Sequence, residues 1–242
     1  MIFRRQAVVV YITFVLALQM TARSAEQPAA LPIVHRILFL GNSITRHPPK
    51  PDIGWTGDWG MAASVAEKDY VHVMASALAA RTGTAPEMLV ENISDFERMP
   101  DKFDFKARLE KPLAFKAEII VVAIGENVPT PRNDAAKKAF HEHFHELLTT
   151  LKDKDGPAIF VRSCFWPDPA KDEILKQVSL EIGATFVDIS ALGKDPSNRA
   201  SAEREIAHKG VAAHPGDKGM KAIAEALVKA IEQNPVAAKE TK

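Results

Sequence analysis

Short apolar runs alternate along the chain with longer segments in which apolar residues recur every three or four positions. The runs are rich in β-branched side chains, which is typical of strands buried on both faces of a parallel sheet. They comprise residues 33–40, 88–93, 119–124, 158–161 and 184–187. Because these strands alternate with helices, the pattern predicts a three-layer α/β/α sandwich with a central five-stranded parallel sheet.

Four of the intervening segments have the helical spacing of apolar residues. The apolar positions are Met61, Val65, Tyr70, Val73, Met74, Ala77 and Leu78, then Phe140, Phe144, Leu147, Leu148 and Leu151, then Ile174, Leu175 and Val178, and finally Met220, Ile223, Leu227 and Ile231. We expect the first helix to end before Gly83. The last should begin near Pro215, because proline is favoured in the first turn of a helix. A single domain over residues 33–233 accounts for all these elements.

The N-terminal residues have the pattern of a secretory signal peptide. Arg4 and Arg5 precede an apolar stretch at 7–18, and small residues follow at 22–25. We therefore predict a signal peptide over 1–25 and a periplasmic or secreted protein. The apolar stretch is short for a membrane span, so no stable membrane insertion is expected after cleavage; an uncleaved N-terminal anchor is the alternative.

Composition is that of a globular protein, with 46% hydrophobic and 26% charged residues. Residues 26–32 are predicted to form a flexible leader and 234–242 a polar tail. Without residues 1–25 the chain has 28 basic and 31 acidic residues, a net charge of −3, which argues against nucleic acid as a partner. Cys164 is the single cysteine, so no intrachain disulfide can form, and we expect its thiol to pack in the core.

Candidate chemistry lies just after the predicted strands, where parallel sheets bind their ligands. Ser43 follows the first apolar run, after Gly41, and Asn127 follows the third. His214 stands immediately before the last helix and is fixed by the proline after it. Singly, these residues could be a turn serine, a loop-bracing asparagine and a structural histidine; together they suit a nucleophile, an oxyanion donor and a general base.

In this order and spacing, GNS at 41–43, GEN at 125–127 and His214 resemble the motifs of the SGNH (GDSL-like) hydrolases, and the resemblance extends from about residue 37 to 231. It implies a flavodoxin-like α/β fold and an ester hydrolase that needs no metal or organic cofactor. By resemblance, Ser43 is the nucleophile and His214 its base, while the Ser43 amide and the Asn127 side chain hold the oxyanion. The family has a further donor at a glycine after the second strand, a position where Ser94 could offer its amide.

The sequence departs from the family pattern at two positions. Asn42 precedes the nucleophile where the family has aspartate, and Val211 stands where the family has the aspartate that orients the histidine. Loss of such an aspartate costs about 10⁴ in turnover in the serine-protease example. A backbone carbonyl is our preferred replacement, which would make a Ser–His dyad. The other candidates are the acids Glu203, Glu205 and Asp217.

A segment rich in glycine and tryptophan follows the nucleophile. Trp55, Trp59 and Gly60 are predicted to line the pocket, with the indoles stacking on a sugar ring or acyl group; burial of the tryptophans in the core is the alternative. A glycan or other small-molecule ester is therefore the expected substrate, an O-acetylated carbohydrate above all, with lipid esters as another possibility. A degenerate family member that binds carbohydrate without cleaving it is the competing hypothesis.

A second motif indicates different chemistry. His141-Glu142-x-x-His145 matches the zinc-peptidase signature on a predicted helix. The apolar positions of that helix place both histidines toward its edge and away from the strand ends. We therefore retain a zinc peptidase only as a minor alternative. The oligomeric state is left open by the sequence.

Overall fold

A computed structural model describes residues 33–152 and 156–234 of the chain. The predicted signal peptide (1–25), the leader (26–32) and residues 235–242 of the predicted tail lie outside the described residues. Within the two described ranges, no helix is both long and apolar enough to cross a membrane.

A five-stranded, all-parallel sheet forms the centre of the fold, as the sequence predicted. Its strand order is β2-β1-β3-β4-β5. The strands are β1 (Arg36–Gly41), β2 (Glu87–Asn92), β3 (Ile119–Ala123), β4 (Ala158–Arg162) and β5 (Thr185–Val187). Gly41 pairs with Asn92 on one side and Ala123 on the other, so β1, β2 and β3 end side by side. The residues that follow these strands consequently emerge at one edge of the sheet.

Helices cover both faces of the sheet and complete the predicted three layers. They are α1 (Tyr70–Thr82), α2 (Ser94–Arg98), α3 (Phe105–Ala114), α4 (Asp134–Leu151), α5 (Pro169–Glu181), α6 (Ser190–Lys194), α7 (Lys209–Ala212) and α8 (Asp217–Gln233). Alternate residues of β1 enter two different apolar cores. Phe39 packs with α1 and α8, whereas Leu38 and Leu40 pack with α4 and α5. From Tyr70 onward the predicted helix stripes are buried in these cores, except that Val73 and Ala77 are half-buried against them, and Cys164 packs there too, as expected.

The boundaries of two predicted elements are wrong. Strand β1 begins at Arg36 rather than at residue 33. The first helix begins at Tyr70 rather than near Met61, because the Asp69 side chain accepts a hydrogen bond from the His72 amide and caps the helix there. Its end before Gly83 is confirmed, and Gly83 adopts the left-handed conformation that terminates helices. Helices α2, α3, α6 and α7 were not predicted.

Gly41 allows close packing at the end of β1. A Cβ atom at this position would lie 1.9 Å from Thr45 Oγ1 and 2.9 Å from the Ala123 carbonyl oxygen. Thr45 is itself held in place, because its hydroxyl hydrogen-bonds that of Tyr70 at 2.8 Å. The absence of a side chain at Gly41 thus leaves room for the turn that holds the nucleophile candidate.

We predict that Gly41→Ala destabilises the protein by about 1–3 kcal/mol, the usual cost of overpacking a core site. Ser76→Ala, on the exposed face of α1, is the control and should change stability by less than about 0.5 kcal/mol. Urea unfolding followed by circular dichroism measures both free energies. Equal stability of the two variants would show that the turn after β1 can move to accept a methyl group.

Candidate active site

Ser43 lies in a tight turn directly after β1. The Thr45 and Arg46 amides both donate to the Asn42 carbonyl oxygen at 3.0 Å, and the Met61 amide donates to the Ser43 carbonyl at 2.8 Å. Because no α-helix begins between Ser43 and Asp69 in the described residues, this turn positions the hydroxyl.

The Ser43 hydroxyl and the His214 imidazole are within hydrogen-bond distance. Ser43 Oγ lies 2.9 Å from His214 Nε2, and His214 Nδ1 lies 2.7 Å from the Gly210 carbonyl oxygen. A carbonyl oxygen only accepts hydrogen bonds, so Nδ1 must carry the proton and Nε2 has a free lone pair. This tautomer is the one in which Nε2 can accept the serine proton.

His214 is further held by an aromatic neighbour. The ring of Trp166 lies 5.0 Å from the imidazole, centroid to centroid, at an interplanar angle of 86°. The Trp166 indole N–H donates to the Ala213 carbonyl at 3.2 Å, so the tryptophan is tied to the same segment. Burial lowers the pKa of His214 below its ordinary value of 6.5, although the hydrogen bond to Gly210 opposes that shift. The imidazole is therefore neutral at neutral pH.

The three acids that could have oriented His214 do not hydrogen-bond it. Glu203 accepts from the Asp217 and Lys218 amides at 2.8 and 2.7 Å, which caps the start of α8. Asp217 accepts from the amide and hydroxyl of Ser64 and from Lys68. Glu205 is exposed. The Gly210 carbonyl thus occupies the position that the missing aspartate would have taken.

Val211, which stands in the place of that aspartate, has its side chain in an apolar cluster. Val211 is 4% exposed and packs in a group that also contains Trp55, Met61, Ala62 and Ala200. The cluster joins the segment before His214 to the loop that follows Ser43. Apolar packing therefore does the positioning at this point of the fold, and the carbonyl supplies the hydrogen bond.

The candidate oxyanion donors differ in their availability. The Ser43 amide has no hydrogen-bond partner among the described residues. Asn127 Nδ2 donates one hydrogen to Glu97 Oε2 at 2.6 Å, which leaves its second hydrogen available. The expected role of Ser94 has to be corrected. Its amide already donates to Asn92 Oδ1 at 2.9 Å, so it has no hydrogen for an oxyanion.

A buried polar network lies beside the nucleophile. Asn42 Nδ2 donates to Glu97 Oε1 at 3.1 Å and to Glu126 Oε2 at 2.7 Å. Glu126 in turn pairs with Arg162 at 2.6 Å, and the side chains of Arg162 and Glu126 are 0% and 3% exposed. Glu97 also accepts from the Gly125 amide at 2.6 Å. Asn42 thus lies between two carboxylates, where an aspartate would be repelled.

The pKa values of the two carboxyl groups in this network are shifted in opposite directions. Burial raises the pKa of Glu97, and the charge of Glu126 raises it further. Burial has the largest single effect and acts to raise the pKa of Glu126, but the charge of Arg162 and the hydrogen bonds from Arg162, Phe165 and Asn42 together outweigh it, so the pKa is lowered. Glu126 therefore remains ionised as the partner of Arg162.

The predicted pocket residues are more buried than we expected. Trp55 is 7% exposed and packs at 5.5 Å against Trp59, and its indole N–H donates to the His47 carbonyl. Gly60 is also buried, and a Cβ there would lie 2.6 Å from the Ile44 carbonyl. Trp55 and Gly60 therefore support the loop rather than offer a face to a ligand. Trp59 is half-buried and keeps its predicted role as a candidate contact.

The zinc-peptidase motif lies on α4, away from the strand ends. His141 Nε2 pairs with Glu181 at 2.9 Å, and the His141 and His145 rings stack at 6.1 Å. Among residues 33–152 and 156–234, no three His, Cys, Asp or Glu side chains are grouped so that they could hold a metal ion. The motif is explained as a surface pairing of α4 with α5.

Sequence reasoning missed four residues of this site. Glu97, Arg98 and Trp166 follow strands β2 or β4, and Arg162 is the last residue of β4. The rule that chemistry follows the strands applied to β4 as well, and the Arg-Ser-Cys-Phe-Trp segment at 162–166 was the available signal. No pattern in the sequence indicated that Glu97 would be buried, because α2 is only five residues long.

Solved structures of hydrolases have the same fold, whereas no protein-family model and no curated protein matches the chain. A GDSL-like lipase from Bacteroides uniformis matches with a TM-score of 0.52 at 12% identity, over 82% of this chain and 96% of that one. The lipase Lip_vut3 from a goat rumen metagenome matches with 0.52 at 15% identity, over 81% and 97%. A family two carbohydrate esterase from Clostridium thermocellum, in complex with cellohexaose, matches with 0.50 at 15% identity, over 84% and 65%.

At such identities the likeness shows the fold alone. It agrees with the strand order and with the sequence motifs at 41–43 and 125–127, which lie at the carboxyl edge of the sheet. The chain has the α/β fold of the SGNH (GDSL-like) hydrolases.

Proposed function

We propose that this protein is a serine carboxylic-ester hydrolase that acts through an acyl-enzyme, with Ser43 as nucleophile and His214 as general base. The observation that supports it most is the relay of two contacts, 2.9 Å from Ser43 Oγ to His214 Nε2 and 2.7 Å from Nδ1 to the Gly210 carbonyl. A turn serine without a catalytic role needs neither a neutral imidazole at its hydroxyl nor a fixed tautomer.

In the proposed reaction, Ser43 Oγ attacks the ester carbonyl carbon while His214 Nε2 takes the hydroxyl proton. The Ser43 amide and the Asn127 side chain donate to the resulting oxyanion. His214 then protonates the leaving alcohol as the C–O bond breaks. Water attacks the acyl-serine by the same steps, which releases the acid and returns the proton to Ser43.

A dyad that is oriented by a carbonyl should be a weaker catalyst than a triad that contains a carboxylate. A carboxylate would both hold the imidazole and stabilise the imidazolium that forms during attack, whereas a carbonyl holds it without a full charge. Glu126 contributes a long-range favourable charge, since it acts to raise the pKa of His214. We expect turnover to be slower than in triad enzymes but well above the uncatalysed rate.

We propose that the substrate is an O-acetylated carbohydrate and that the protein is exported. The half-buried Trp59 offers an aromatic surface near the turn that holds Ser43, since His47 and Trp59 form a β-bridge. One structural neighbour is a carbohydrate esterase that was solved with cellohexaose. The signal-peptide pattern of residues 1–25 supports a compartment in which such glycans are met.

The first prediction from the proposed function concerns the nucleophile. The full chain should hydrolyse p-nitrophenyl acetate in the presence of EDTA, and Ser43→Ala should lose at least about 10³-fold in kcat, as nucleophile removal does in serine hydrolases. Ser76→Ala, on the exposed face of α1, should retain full activity. A fluorophosphonate probe should label the wild type and not Ser43→Ala.

The contrary results are distinct. Activity that is lost with EDTA and kept in Ser43→Ala would favour metal-dependent hydrolysis. Binding of cello-oligosaccharides without hydrolysis or labelling would instead establish a carbohydrate-binding protein.

The second prediction concerns pH. Because the pKa of His214 is lowered, the base should stay neutral, and hence competent, into mildly acidic solution. The rise of kcat/KM with pH should therefore have its midpoint below 6.5, the ordinary value for histidine. Measuring p-nitrophenyl acetate hydrolysis between pH 4 and 8 determines this midpoint. A midpoint above 6.5 would mean that His214 gains a charged partner that the structure does not contain.

The third prediction concerns the missing aspartate. Val211→Asp should not raise turnover, because Gly210 already occupies Nδ1, and it should lower stability by at least about 2 kcal/mol by burying a carboxylate in an apolar cluster. Val65→Asp is the matched control, since Val65 is 43% exposed. Unfolding curves and kcat are measured for both variants. Increased turnover in Val211→Asp would contradict the carbonyl dyad.

A further inference from the structure

We infer that Glu97 and Arg98, adjacent residues at the end of α2, fix the orientation of the Asn127 side-chain amide and thereby place its N–H for the oxyanion. The inference rests on the proposed function, because it assigns positioning roles within the same site. Asn127 Nδ2 donates to Glu97 Oε2 at 2.6 Å, and Arg98 Nη2 donates to Asn127 Oδ1 at 3.0 Å. An acceptor and a donor on adjacent residues thus hold opposite ends of one amide.

The chemistry of these partners permits one orientation of the amide. The Glu97 carboxyl accepts from four N–H groups, those of Asn42 Nδ2, the Gly125 and Asn127 amides and Asn127 Nδ2, and a guanidinium only donates hydrogen bonds. A rotation of the Asn127 amide by half a turn would place its oxygen against Glu97 and its NH₂ group against Arg98. Two hydrogen bonds would become two repulsive contacts. The free hydrogen on Nδ2 consequently has a fixed direction before any substrate arrives, which is the condition for effective oxyanion stabilisation.

Both holding residues are themselves fixed. Glu97 is 1% exposed, and its other oxygen accepts from the Gly125 amide at 2.6 Å and from Asn42 at 3.1 Å. Arg98 is exposed, but its Nη1 donates to Ser94 Oγ one helical turn earlier at 2.9 Å. Ser94, which we expected to supply an oxyanion amide, therefore has a different place in the site, as the residue that steadies the guanidinium.

A structural role alone would not produce the same dependence. Arg98 is on the surface, and surface substitutions that remove no packing change stability little. A residue that acts through Asn127 should affect the rate of the chemical step, should leave KM nearly unchanged, and should lose its effect when Asn127 is absent. The last property is the one that a double-mutant cycle measures.

The test compares Arg98→Met in the wild-type and Asn127→Ala backgrounds of the full chain, with p-nitrophenyl acetate as substrate. We expect Asn127→Ala to lower kcat about 100-fold, as removal of an oxyanion donor does. Arg98→Met should lower kcat about 10-fold with KM unchanged within about twofold, and should cost nothing further when Asn127 is alanine. Arg98→Lys, which keeps a donor and a charge, should recover part of the loss. Arg132→Met, at another exposed arginine, is the control.

Glu97→Gln provides the complementary variant. Its NH₂ group cannot accept from Asn127 Nδ2, so kcat should approach that of Asn127→Ala. Because Glu97 is buried, this variant is used only if its circular dichroism and unfolding curve match the wild type. If Glu97→Gln does not fold, Arg98→Met tests the inference. A readout without activity is the side-chain amide signal of Asn127 in a ¹⁵N–¹H spectrum, identified by its loss in Asn127→Ala. Its hydrogens should exchange faster in Arg98→Met.

The outcomes separate the inference from the function. An equal loss of kcat from Arg98→Met in both backgrounds, or no loss where Asn127→Ala is impaired, would overturn the inference and leave the esterase intact. An Asn127→Ala enzyme with full kcat would remove Asn127 from the oxyanion hole and overturn the inference with it. An inactive wild type whose Ser43 is not labelled by a fluorophosphonate would refute the proposed function itself.

Discussion

A positive charge buried at the carboxyl end of the sheet determines how the polar residues of the site are arranged. The side chain of Arg162 is fully buried, and an unpaired charge in such a place would cost several kcal/mol. Glu126 compensates it, and this fixes a carboxylate between β3 and β4. Glu126 then requires a donor on its other oxygen, which Asn42 supplies at 2.7 Å. The amide of Asn42 also reaches Glu97, and Glu97 reaches Asn127. Charge compensation in the core thus extends, contact by contact, to the candidate oxyanion donor.

His214 is positioned on the opposite principle, without a charge. Its ring is held by the Gly210 carbonyl and by Trp166, and its segment is anchored by apolar packing of Val211. These contacts fix the tautomer and the ring plane, but none is a carboxylate in contact with Nδ1. The fold therefore orients the base through uncharged contacts, whereas acidic and basic side chains orient the candidate oxyanion donor. Glu203 caps the start of α8 and Asp217 accepts from Ser64, so neither acid hydrogen-bonds the imidazole.

The sequence predicted the layers and the order of the site residues, because both follow from short-range patterns. Buried parallel strands read as apolar runs, and the ends of parallel strands meet at one edge, so Ser43 and Asn127 could be placed together before any coordinates. The preferred carbonyl partner of His214 agrees with the observed contact to Gly210. Contacts between residues far apart in sequence could not be predicted. Glu97 and Asn42 are 55 positions apart, and nothing local distinguishes a buried glutamate from a surface one. The burial of Trp55 depends likewise on Ala200 and Val211, which only the tertiary fold brings to it.

The position of Asn42 between two carboxylates has a consequence for how this sequence can change over time. A single replacement of Asn42 by the aspartate of the usual motif would remove two donated hydrogens and add a third acidic group beside Glu97 and Glu126. The replacement becomes tolerable only together with the loss of one of those glutamates, and loss of Glu126 in turn leaves Arg162 without its counter-charge. Residues 42, 97, 126 and 162 therefore constrain one another through direct contacts. Descendants of this chain should exchange them jointly, so an alignment built around the GNS motif should show covariation at these four columns rather than drift at each.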